Sequence, residues 1–348
     1  MEIRMVKLCT MIMLAMGVVL AEKSETDHNK EDHDRLCAVL RSAVSVWGST
    51  GSGVTEPLKT ALKNTIFGYT GTEETIEKLK TTLPHDYDLV VQQPESRALW
   101  CGERRFDDAQ HYGDNQVRWS GHSATHDLVC LCTAGKHGWP INGSSSEKET
   151  LCGKGKSSLK GAENKGWGIT NEGKDQIDAT WAVVVSECLK GAGEKEDLKK
   201  ALEIFIDNLN RTMHDEYGHM YRLGEGKFNT SIFQACTGSK NLGVCAMYYP
   251  ETKDAKTWWW NLKDAIAKDD GIQKKHKEDE EEKHKHKEDA EKQDSPKAED
   301  LKSGSPNTNQ TDRQQNDNIT DTIRKFHMKS GTPISRPSSW FLSVVFLI

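Results

Sequence analysis

Apolar positions gather into short helical stripes separated by long stretches with no stripe at all. Leu36, Cys37, Leu40, Ala43, Val44 and Trp47 recur at three- and four-residue steps, which predicts a helix from about Asp32 to Trp47, stopped by Gly48 and the Ser/Gly run to Gly53. Leu58, Leu62 and Ile66 predict a second helix over Glu56 to Ile66. A third begins at Thr72, with cap residues through Thr75 and a stripe of Ile76, Leu79 and Leu83, and Pro84 ends it. From about Leu99 to Gly173, Gly, Trp, His and Cys are dense and no period persists. That texture predicts an irregular region held by disulfides, with one short helix over His122 to Leu131.

Helical spacing returns at Asp175 to Leu189, through Ile177, Trp181, Val184, Val185 and Cys188. After Gly191-Ala192-Gly193 comes the longest stripe: Leu198, Leu202, Phe205, Leu209, Met213 and Tyr217, ending at Gly218. It reads either as a coiled-coil-like arm of about 30 Å or as one amphipathic helix on a globular core. Trp258-Trp259-Trp260 opens a last short helix with Leu262 and Ile266. Beyond Lys268 the apolar residues vanish. Residues 269–330 alternate lysine with acid and then turn Pro-, Ser- and Asn-rich. This predicts a disordered polyampholyte spacer, whose first half can form a charged helix transiently.

Both ends are apolar and short. Leu8 to Leu20 follows Arg4 and Lys7 and closes at Val19-Leu20-Ala21, a secretory leader cleaved after Ala21. Ser338 to Ile348 would rise only about 16 Å as a helix, roughly half of a bilayer's hydrocarbon thickness. It follows the small residues Ser330-Gly331-Thr332 and a polar spacer. Small site, spacer and apolar tail form the pattern of a glycosylphosphatidylinositol (GPI) signal, with the anchor on Ser330 or on Gly331.

An exported chain changes how cysteine is read. Cys9 leaves with the leader, and Cys37, Cys101, Cys130, Cys132, Cys152, Cys188, Cys236 and Cys245 remain, enough for four disulfides in any of 105 pairings. Cys130 and Cys132 are too close in sequence to favour each other and are expected to staple two other segments to one strand or loop. Five Asn-x-Ser/Thr sequons follow the same compartment logic: Asn142, Asn210, Asn229, Asn309 and Asn318. A net charge of −6, with 29% charged residues, argues against nucleic acid as a partner.

No chemistry rises above this frame. On a helix His122, His126 and Cys130 would share a face with zinc-like spacing. An oxidising compartment favours disulfides for such thiols, and no H-E-x-x-H is present. His276, His284 and His286 fall in a solvated charge run. There is no G-x-S-x-G, Walker or G-x-G-x-x-G element. The tryptophans, Trp47, Trp100, Trp119, Trp139, Trp167 and Trp181 among them, suit either a core or a sugar-stacking surface. The reading is a non-enzyme with no cofactor and no metal.

One block is more specific. Ser120 to Pro140 (SGHSATHDLVCLCTAGKHGWP) resembles the variant surface glycoproteins of African trypanosomes, of the Trypanosoma congolense type. Arg35 to Trp47, Ile66 to Gly71, Leu83 to Tyr87, Leu151 to Gly155 and Thr180 to Leu189 carry weaker likeness in the same order. The resemblance implies a mainly α fold, an elongated antiparallel helical hairpin or bundle with disulfide-stapled irregular loops, ahead of the disordered charged spacer. Its arms would be Asp32 to Trp47 and the pair over Asp175 to Tyr217, with Leu99 to Gly173 as an antibody-facing lobe. It also implies a homodimer in a dense GPI-anchored coat on the outer leaflet of the plasma membrane, exposed to host antibodies and changed by antigenic variation. A GPI-anchored nutrient receptor of related helical architecture is the alternative. The expected layout is a leader over 1–21, an ectodomain over 22–268, the spacer over 269–330 and a removed anchor signal over 331–348. The cysteine-rich C-terminal domain of many relatives is missing from this layout.

Overall fold

The computed structural model describes residues 26–293, apart from 70–74, 107–115, 144–148, 192–196, 232–233 and 253–254. The chain divides into residues 1–288 and 289–348. Of the second unit only 289–293 are described, and the fold is that of the first.

Strand β1 (Thr26–His28) leads through Asn29 into helix α1 (Lys30–Trp47). Asn29 adopts the left-handed conformation (φ 58°), which an Asn side chain tolerates better than most. Glu31 and Asp32 place negative charge on the positive end of the helix dipole. Gly48 ends α1 at φ 64°, its N–H reaching the Val44 carbonyl. The predicted stripe is the buried face: Leu36, Val39, Leu40 and Ala43 are wholly buried. Helices α2 (Leu58–Phe67) and α3 (Ile76–Thr81) follow, the latter capped by Thr75, whose hydroxyl accepts from Lys78 N. The predicted start at Thr72 lies outside the described residues.

Helix α4 (Ala124–Cys132) sits at the centre, capped by the Ser123 hydroxyl accepting from His126 N. All nine of its residues are buried, and so is every residue from 118 to 135. Helix α5 (Lys174–Thr180) continues through a π turn (Trp181–Val185) into Ser186–Cys188. Then comes α6 (Leu198–Asp207), which packs along α1, and finally α7 (Trp258–Gln293). Two small sheets complete the unit. In one, β1 pairs in parallel with β2 (Glu149–Leu151), which pairs antiparallel with β3 (Lys154–Gly155). In the other, β5 (Gly218–Glu225) lies antiparallel between β4 (Asn210–His214) and β6 (Val244–Tyr248).

The fold is helix-rich with four disulfides, and three expectations need correction. The stripe from Leu198 to Tyr217 is not one helix. It stops at Asp207, and Asn210 to His214 pairs with Gly218 to Arg222 as a hairpin. The three residues between His214 and Gly218, with Gly218 at φ 66°, form a tight turn that outweighs the helical spacing. Met213, expected on the buried stripe, is 68% exposed.

The second concerns residues 269–293, in the half of the spacer where a charged helix was expected only transiently: they continue α7 as helix. They extend α7 after its last core residue, Ala265. Ion pairs four residues apart, Lys268 with Asp264 and Lys274 with Glu278, favour the helix where no described side chain from Lys268 to His284 is fully buried.

The third concerns Leu99 to Gly173, which is not a surface lobe throughout, since its stretch 118–135 is the inside of the molecule. Periodicity failed there because a segment buried on every side has no polar face to alternate with.

Candidate functional site

The Ser120 to Pro140 block is where the titratable groups converge, and α4 positions most of them. At the start of α4, Asp127 is fully buried. Its Oδ1 accepts from Gly121 N at 3.0 Å, while its Oδ2 accepts from Trp258 Nε1 at 2.6 Å and from Tyr248 OH at 2.9 Å. Burial pushes its carboxyl up to about 7, against these three hydrogen bonds, which pull it down. One side chain thus joins α4, β6 and α7.

At the other end Arg97, also fully buried, donates to the carbonyls of Cys130 (2.8 Å), Thr133 (3.0 Å) and Trp167 (3.1 Å). Its guanidinium lies over the Trp167 ring at 4.9 Å. Burial lowers its pKa to about 9, which leaves it charged at pH 7. The cation meets the negative end of the α4 dipole, and among the described residues its hydrogen bonds go to carbonyls, where it caps the end of the helix.

His126 lies between these ends. Its Nε2 donates to the Trp100 carbonyl at 3.1 Å and its Nδ1 accepts from Tyr87 OH at 2.8 Å. Burial, then the nearby Arg118, lowers its pKa to about 3, so the ring is neutral. His122 is buried beside it with ring centroids 6.1 Å apart, and Gly68 (φ 91°) is required there, since a Cβ would lie 1.9 Å from the His122 ring. These groups are sealed from solvent, so their arrangement suits holding α4 in place and offers no route to a substrate.

The cysteines pair as Cys37–Cys188, Cys101–Cys130, Cys132–Cys152 and Cys236–Cys245. Cys130 and Cys132 staple two segments to one helix, where a strand or loop was expected. Residues two apart on a helix project to different sides, which is why they serve separate partners. Of the predicted His122, His126 and Cys130 set, only His126 and Cys130 lie within ligand distance of each other, joined by Cys101 in place of His122, and the Cys130 sulfur is bound to Cys101. Trp100, Trp119, Trp167 and Trp181 are buried, while Trp47 and Trp139 are partly so. No periodic signal marked Arg97, Asn29 or Tyr248 in advance.

The outer surface carries the sequons. Asn210 is exposed at the start of β4. Asn229 is half-buried in a turn in which its Oδ1 accepts from Ser231 N at 3.0 Å. Asn142 is half-buried, its Nδ2 donating to the His137 carbonyl at 2.9 Å. Asn309, Asn318, the anchor position Ser330 and the apolar N-terminal segment lie outside the described residues, while the backbone of His276, His284 and His286 belongs to α7. Among the described residues no helix is long and apolar enough to cross a membrane.

Buried charges around α4 and four disulfides define a disulfide-stapled, helix-rich domain. Residues 50–268 match the family model of the trypanosomal VSG domain, and the chain belongs to that family. It is a trypanosomal surface glycoprotein. No curated protein and no solved structure matches it.

Proposed function

We propose that this glycoprotein is a unit of a dense variant coat, held to the outer leaflet by a GPI anchor on Ser330 and displayed to host antibody, with serial replacement of the expressed copy as its means of evasion. The observation that carries the reading is the VSG-domain match over residues 50–268. The leader over 1–21 and the signal over 331–348, with its apolar tail Ser338 to Ile348, support it, since together they describe export followed by a lipid foot. Residues 22–268 are then the coat body, built on α1 packed against α6, and 269–330 the hydrophilic spacer between body and lipid. Copies pair as homodimers, and the role requires no catalysis. The burial of 118–135 favours variation in the exposed loops, because a changed core residue costs stability whereas a changed surface residue does not.

Treatment of live cells with phosphatidylinositol-specific phospholipase C, followed by mass spectrometry of the released protein, tests the reading. An abundant product running from Glu22 to Ser330 with a glycolipid remnant is expected. Retention in the membrane, or release of only a trace component, would overturn it.

A further inference from the structure

His33 and Cys37 lie one turn apart on α1, and the disulfide to Cys37 brings Cys188, at the end of the α5 segment, to the same point. His33 Nε2 faces Cys188 Sγ at 3.8 Å. The other ring nitrogen, Nδ1, lies 3.0 Å from Asp34 Oδ1. An ionised carboxylate only accepts, so Nδ1 carries the proton and Nε2 turns its lone pair toward the sulfurs. Asp34 is itself held by an ion pair to Lys30. The ligand atoms of His33, Cys37 and Cys188 all lie within 4.8 Å of one another.

The molecule contains a second such group, and it differs in the atom that matters. Cys101, His126 and Cys130 are equally close, but His126 Nε2 is the nitrogen that donates to the Trp100 carbonyl. It therefore has no lone pair to offer, and the whole group is sealed. The His33 side chain is 14% exposed, leaving an ion a path to its ring.

We propose that the Cys37–Cys188 disulfide masks a soft-metal site: once a dithiol reduces it, Cys37 Sγ, Cys188 Sγ and His33 Nε2 bind a zinc-class ion. The dithiol gives two electrons and two protons to the S–S bond and closes to its own cyclic disulfide, leaving two thiols on the protein. Metal binding then expels both thiol protons, so two thiolates and one neutral imidazole hold the ion and a fourth position stays open to water. Zinc bonds of about 2.3 Å to sulfur and about 2.0 Å to nitrogen place such ligands roughly 3.5–3.8 Å apart; His33 Nε2 already stands 3.8 Å from Cys188 Sγ, and the two sulfurs separate once their bond is broken. Asp34 is the outer carboxylate that orients the ligating imidazole. The ion then replaces the disulfide as the link between α1 and the α5 segment. This site is independent of the coat role.

The test uses the intact glycoprotein, reduced with dithiothreitol, desalted without oxygen and titrated with Co²⁺ as the probe. One equivalent should bind with a thiolate-to-cobalt charge-transfer band, and alkylation mass spectrometry should show Cys37 and Cys188 shielded by the metal. His33→Ala should weaken binding at least tenfold and Asp34→Asn by about tenfold, while both variants still form the disulfide when oxidised. Three results would overturn the proposal. One is the absence of the band in protein whose Cys37 and Cys188 are shown free and whose helical circular dichroism is intact. Another is equal binding by His33→Ala, and the last is reduction that occurs only with loss of that dichroism.

Discussion

Trp258 Nε1 donates to Asp127 Oδ2 at 2.6 Å across 131 residues of sequence, tying the first turn of α7 to the buried helix α4. Trp258 is itself fully buried, so the bond is shielded from water, and above about pH 7 it joins a charged acceptor to a neutral donor.

Replacing Trp258 with Phe keeps most of the packing and removes that donor. The folded pKa of Asp127, about 7, stands above the ordinary 3.8, so the native state holds this proton more tightly than the unfolded chain. Its contribution to stability is therefore fully present below pH 4 and lost as pH rises through about 7. Trp258→Phe should cost about 1.5–3 kcal/mol at pH 8, where the charged carboxylate loses a donor, and about 1 kcal/mol at pH 5. Urea unfolding at the two pH values measures the difference, and equal losses would show that the bond does not discriminate the charged form.

Asn29 closes the opposite seam. Its Nδ2 donates to the carbonyls of Leu131 (2.8 Å) and Val244 (2.7 Å), and its Oδ1 accepts from Glu225 N at 2.9 Å. Asn29→Ala loses all three bonds at a left-handed φ and should destabilise by about 3 kcal/mol or more. Asn29→Gly loses the same bonds without the backbone cost and should be less damaging by about 1 kcal/mol. Equal midpoints for the two variants would mean the φ at this position carries no strain.

Arg97→Lys keeps the charge but not the fork that reaches three carbonyls. Each buried carbonyl left without a donor costs about 1–3 kcal/mol, so a loss of several kcal/mol is expected in chemical denaturation. A change within about 0.5 kcal/mol would place Arg97 outside the core's stability.

Truncation after Gln273 removes the charged C-terminal part of α7 and keeps Trp258, Trp259, Leu262 and Ala265, the buried residues among its described side chains. It also keeps the exposed Lys199–Asp270 ion pair, worth little in any case. The melting temperature of the body should stay within about 2 °C. A larger drop would mean that the charged extension is part of the cooperative unit.

Asn210 is the most open sequon among the described residues. Intact-mass analysis of Asn210→Gln should show the loss of one glycan, with stability changed by less than about 0.5 kcal/mol. An unchanged mass would show that the edge strand is not modified.

The chain on its own determined the α1 stripe from Leu36 to Val44, a short helix near the predicted Glu56 to Ile66, the helix after Thr75, and the even set of eight cysteines from Cys37 to Cys245. Each of these is a local matter: period, cap and compartment are written in neighbouring residues. The Ser120 to Pro140 block was legible as a signature but not as a core, because residues buried on all sides carry no alternation to read. Tertiary structure alone decided which cysteines pair, that Arg97 and Asp127 bracket α4, and that the stripe through Met213 and Tyr217 breaks into a hairpin. Those outcomes depend on partners as far apart as Asn29 and Val244, or Arg222 and Met247. A helical period prefers a helix only until a neighbouring strand such as β5 offers the same backbone groups hydrogen bonds across a hairpin.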